Sequence, residues 1–111
     1  MAVEFPIDQE VFPIDKRDFR DWLADGDPDR VVGVANRATD CPLVRYLKEK
    51  YGYNFVVGYG SVRVVTDEYP LCTKYWSTPE WATEFVKTVD LRVDFSVTAR
   101  TAMRILTGEL A

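Results

Sequence analysis

The chain has 111 residues and a formal charge of −4, from 14 Lys and Arg against 18 Asp and Glu, and it contains no histidine. With 47% apolar and 14% aromatic residues, it has enough apolar mass to fold as one domain without disulfide or metal staples, and too much to be disordered. The missing histidine removes Ser-His-Asp and Cys-His nucleophile systems and mixed Cys/His zinc sites within this chain. Two cysteines are too few for an all-cysteine zinc site.

The acidic balance gives no electrostatic reason to expect nucleic acid, which is bound by neutralising phosphates with Lys and Arg. No apolar run approaches the roughly 18 residues of a membrane-spanning helix. The N-terminal Met-Ala-Val-Glu-Phe-Pro lacks the basic and apolar segments of a secretory signal. The expectation is a cytoplasmic protein with reduced Cys41 and Cys72, no metal, no cofactor and no membrane contact.

Along the chain, Phe5-Pro6-Ile7-Asp8 recurs seven residues later as Phe12-Pro13-Ile14-Asp15. Proline withholds a backbone donor and drives its predecessor into extended conformations, so residues 1–14 read as an extended N-terminal arm or edge strand. Packing on its own domain is favoured over reaching a second subunit. A first helix is predicted over 16–25, with Phe19, Trp22 and Leu23 on one face and Asp15 or Asp18 near its start. Asp25-Gly26-Asp27-Pro28-Asp29 reads as a turn-rich loop, and Val31 to Ala35 as a short buried strand. The second helix, about 41–51, is marked by Thr39, Asp40 and Pro42 at its start and Gly52 at its end. Leu43, Val44, Tyr46, Leu47 and Tyr51 form its apolar stripe.

Residues 53–66 are rich in β-branched and aromatic side chains, and Gly58-Tyr59-Gly60-Ser61 is the predicted hairpin turn or bulge. Tyr69 to Trp76 reads as an aromatic-rich connection without periodicity. A third helix starts at Ser77 or Thr78, where Ser77 and Glu80 fit a capping box, and its face carries Trp81, Phe85, Val86 and Val89. Leu91 to Phe95 is predicted as a short strand. The last helix, about 99–107, is capped by Thr98, faced by Ala99, Ala102, Met103 and Leu106, and stopped by Gly108. These elements predict an α+β fold: about four short amphipathic helices packed on a small, mainly antiparallel sheet, in a single domain spanning 1–111.

Cys41 sits at a helix start, where the field of the helix stabilises a thiolate. A thiol-dependent enzyme or redox sensor is therefore one hypothesis. A small buried residue packing the helix start is favoured over it, since no base partner is identifiable. Asp25, Asp27 and Asp29 have the alternating spacing of a calcium loop, but Arg30 stands where glycine belongs and Asn36 holds the twelfth position, so a solvated acidic turn is expected. Arg45 and Lys48, with Lys50, and Arg100 with Arg104 make an anion- or nucleic-acid-binding footprint if the second and last helices are adjacent. Solvated helix faces are the favoured alternative.

Phe5, Phe12, Tyr69, Tyr75 and Trp76 lie outside periodic segments and are the candidates for contact with a partner. The expected function is that of a small non-enzymatic binding or regulatory protein acting through protein–protein contacts and self-associating as a symmetric dimer. On this basis Trp76→Ala is expected to weaken assembly more than folding.

Overall fold

The computed structural model describes residues 10–65 and 75–109. Helix ends form where the chain supplies partners for the backbone groups a helix leaves unpaired. The Asp15 carboxylate accepts from the N–H groups of Arg17 and Asp18 and starts α1 (Lys16–Ala24). α2 (Pro42–Tyr51) opens on proline, whose missing N–H is unneeded in a first turn. It closes where Gly52, at φ 79°, returns its N–H to the Lys48 carbonyl. α3 covers Glu80–Arg92 and α4 covers Ala99–Leu106. The Thr98 hydroxyl caps α4 by accepting from the Thr101 N–H at 3.2 Å.

Two local expectations give way at α3. Ser77 is a strand residue and Pro79 holds the N-cap position, so the Ser77–Glu80 capping box does not form. The hydroxyls of Thr78 and Thr83 share a 2.5 Å hydrogen bond there instead. Leu91 and Arg92, read from sequence as the start of a strand, continue the helix.

The strands divide between two antiparallel sheets. β1 (Val31–Val34) pairs with β5 (Ser96–Thr98). β2 (Asn54–Val57), β3 (Ser61–Val65) and β4 (Tyr75–Ser77) form the second sheet in that order. The hairpin at Gly58 to Ser61 is present: Val57 faces Val62, and the Gly58 N–H donates to the Ser61 carbonyl at 2.9 Å. The described part of the arm adds a parallel rung to β4, where Val11 bridges Ser77. There Phe12 N–H donates to the Ser77 carbonyl and Ser77 N–H to the Glu10 carbonyl, both at 2.8 Å.

Gly33 lets β1 touch the start of α2. A Cβ at this position would lie 2.5 Å from the Pro42 nitrogen and 2.7 Å from its Cδ, a clash no side chain survives without backbone movement. The register of β1 against β5 shifts between Val31 and Gly33, as a bulge next to a close approach does.

The buried residues form one cluster with two aromatic centres. Phe19 meets Trp22, Tyr46, Trp81 and Phe85 with ring centroids 5.1–5.9 Å apart. Phe12 meets Tyr51, Phe55 and Trp76 edge-on at 5.2–5.8 Å. These separations are those of favourable aromatic pairs. The first centre ties α1 to α2 and α3, and the second ties the arm to the three-stranded sheet.

Candidate functional site

Three segments converge on Asp90 in the last turns of α3. Asn36 follows β1 in the left-handed region, at φ 62°, a conformation asparagine tolerates better than most residues. Its N–H donates to Asp90 Oδ1 at 2.7 Å, and its side-chain amide donates to the Asp90 carbonyl at 3.3 Å. From the β2–β3 turn, the Tyr59 hydroxyl donates to Asp90 Oδ2 at 2.5 Å. That bond favours the neutral phenol and raises its pKa. Between the segments lies a cavity of about 250 Å³, walled by Cys41, Val57 and Val86, with exposed Arg37 and Tyr59 also lining it.

Large apolar residues stand exposed on the segments that meet here. Leu91 is 83% exposed, Phe95 77% and Tyr59 57%, the three most exposed large apolar side chains among the described residues. The backbone at Phe95 is held in place, its carbonyl accepting from the Ala35 N–H at 2.9 Å. The corner is thus a rigid mount carrying apolar groups into water.

A wider, open cleft of about 710 Å³ lies between α1 and α2, lined by Asp18, Asp21, Trp22, Asp25, Tyr46 and Glu49 among others. Tyr46 donates to Asp18 Oδ2, and Lys50 Nζ meets the same oxygen at 2.9 Å. The Tyr46 hydroxyl and the Lys50 ammonium hold the Asp18 carboxyl below the usual carboxylate range. Burial, with the bond to Asp18, pushes the Tyr46 phenol up to about 12, and the bond to Asp18 raises Lys50. Each shift fixes the resting protonation state, charged lysine and neutral phenol. The bonds join Asp18 of α1 to Tyr46 and Lys50 of α2 and brace the two helices.

Of the described residues singled out from sequence as site candidates, only Cys41 reaches the cavity beside Asp90. Cys41 is buried, and burial outweighs the Val44 and Leu43 N–H groups at the helix start, pushing the thiol up to about 11. The activated thiolate is therefore disfavoured where the sequence left it open. Phe12 and Trp76 are also core residues, 0% and 2% exposed. Their rings meet each other at 5.2 Å, so Trp76→Ala removes packing from Phe12. Tyr75 belongs to β4 by its backbone, while its side chain, Phe5 and Tyr69 lie outside the described residues.

The basic footprint is not assembled. Arg45 meets Asp40 at 2.8 and 3.1 Å and the Val31 carbonyl at 3.3 Å. Arg100 meets Asp29 at 3.2 Å and Arg104 meets Glu109 at 3.9 Å. Arg45 and Lys48 line one depression with Asn54 and Val56, whereas Arg100 and Arg104 line another with Gly26 and Pro28. In the acidic loop, the Arg30 guanidinium donates to the carbonyls of Trp22 at 2.7 Å and of Leu23 and Asp27 at 3.2 Å. Arginine at that position caps α1, which is why the loop is not built for calcium.

Tyr59, Asp90, Leu91 and Phe95 are the residues that sequence reasoning passed over. One signal was available for Leu91. On a helix continuing past Val89 it falls off the Ala82–Phe85–Val86–Val89 stripe, and an apolar residue on a wet face is informative. Reading Leu91 to Phe95 as a strand hid that signal.

Fold and site together define a small α+β protein. Among its described residues no three or more Cys, Asp or Glu gather into a potential metal site, and no helix is long and apolar enough to cross a membrane. No family model matches the chain, and no curated protein or solved structure matches it.

Proposed function

We propose that the chain is a non-enzymatic binding module that works by contact with another protein chain, through the corner formed by Tyr59, Leu91 and Phe95. The observation that carries this is the outward placement of Leu91 and Phe95 on a backbone fixed by Asn36, Ala35 and Asp90. Three such side chains present on the order of 400 Å² of apolar surface, the scale at which exposed patches on monomers serve binding.

The occupant we favour is a second copy of this chain. Lys87 and Asp94 stand exposed on either side of Leu91, so a two-fold contact can set unlike charges against each other. With a polar rim, the patch reaches toward the roughly 800 Å² per partner of a standard interface.

Sedimentation over a concentration series tests this. The wild-type chain should self-associate, and the double variant Leu91→Ser, Phe95→Ser should stay monomeric with an unchanged melting temperature. Monomeric wild type at every concentration, or association that survives the double substitution, overturns it.

A further inference from the structure

We propose that Tyr59 is a latch: its hydroxyl, bonded to Asp90, holds the ring against the cavity that reaches Cys41, and its release opens that cavity to solvent. The backbone around it is anchored on both sides. Gly58 N–H donates to the Ser61 carbonyl at 2.9 Å, and Thr78 N–H donates to the Gly60 carbonyl at 3.1 Å. The movable part is therefore the Tyr59 side chain.

The ring has solvent to turn into. With 57% of the residue in water, the 2.5 Å bond to Asp90 is its main tether.

The acceptor is set in advance. Asn36 occupies one Asp90 oxygen through its N–H and braces the Asp90 carbonyl through its side chain, which leaves the second oxygen to Tyr59. Exposed side chains change rotamer quickly, so opening is a local event that leaves the rest of the fold intact. Cys41, Val57 and Val86 then wall a recess with an apolar lining. The latch shares Tyr59 with the contact surface proposed above, but it is read out by Cys41 alkylation, whereas that surface is read out by the association of Leu91 and Phe95 variants.

Cys41 reports the state of the latch. Its alkylation by a small reagent is followed by peptide mass spectrometry, so that Cys72 is counted separately, in wild type, Tyr59→Phe and Tyr59→Ala. Tyr59→Phe should raise the Cys41 rate roughly fivefold, the factor that loss of one ordinary hydrogen bond implies. Tyr59→Ala should raise it further, and the melting temperature should hold in both. Equal Cys41 rates in all three proteins overturn the proposal. So does a rise that tracks a fall in melting temperature, because exposure would then come from global unfolding.

Discussion

Two tyrosines donate to an aspartate in this fold, and their surroundings give the same pair opposite uses. Tyr46 bonds Asp18 between α1 and α2, with Lys50 on the same oxygen and Phe19 and Trp22 against its ring. Tyr59 bonds Asp90 at the tip of a hairpin, with more than half its surface in water. In the first pair, burial and a cation add restraints to the hydrogen bond, and the pair becomes a strut. In the second, the hydrogen bond stands almost alone, and a group held by one bond worth about 1 kcal/mol can be released. What surrounds the pair, more than the pair itself, decides between strut and latch.

The largest expected effect breaks the strut. Phe19→Ala removes the ring that meets four aromatic partners, and should cost about 3–5 kcal/mol in chemical denaturation. A cost under about 1 kcal/mol would show that α1 is not held by its aromatic centre. Tyr46→Phe keeps the ring and deletes the hydroxyl, and should cost about 1 kcal/mol. Tyr59→Phe should stay within about 0.5 kcal/mol of wild type, as exposed substitutions do. Equal losses at the two tyrosines would erase the distinction.

The Tyr46–Asp18 pair also ties stability to pH at both ends of the scale. Folding raises the Tyr46 phenol to about 12 from an ordinary value of 10. Between those values the unfolded chain has released a proton that the folded chain keeps. The contribution of Tyr46 is thus complete below pH 10 and is lost as pH rises toward 12. At the acid end, Asp18 is held below its ordinary 3.8, so its contribution is present at neutral pH and is lost as pH falls through its lowered folded value. Denaturation curves at acid pH should show a smaller loss in Asp18→Asn than in wild type, the remainder coming from other lowered carboxylates such as Asp40. The smallest stability effect belongs to the corner itself. Leu91→Ser and Phe95→Ser should each leave folding within about 0.5 kcal/mol while abolishing self-association.

Much of the fold was legible because its signals are local. Asp15, Pro42, Gly52, Thr98 and Gly108 act on the few residues beside them, and each marks a helix end close to where the structure has it. The Gly58 to Ser61 turn was legible for the same reason. Errors cluster where a local signal competes with a distant partner. Ser77 could cap α3, but pairing with Ser61 on one side and with the arm on the other makes it a strand residue. Three residues are a short strand, and neighbours from elsewhere in the chain, more than propensity, define β4.

The site was less legible. Phe12 and Trp76 looked like contact residues because no periodicity claims them, yet they meet each other in the core at 5.2 Å. Leu91 and Phe95 looked like strand residues and instead stand in water. Burial of an aperiodic aromatic depends on what arrives from other segments, and no spacing rule contains that information.

The sequence by itself determined the α+β composition, the helix ends, the hairpin turn and the exclusion of histidine chemistry within this chain, because each follows from residue type and near neighbours. Only the tertiary structure decided that the strands split into two sheets, that Cys41 is buried away from solvent, that each arginine of the basic footprint meets a carboxylate, and that Asp90 gathers Asn36 and Tyr59 beside exposed Leu91 and Phe95. The Asp90 contacts join residues 31 positions apart at Tyr59–Asp90 and 54 apart at Asn36–Asp90. Such distances along the chain are closed only when the core has formed and fixed which surfaces meet.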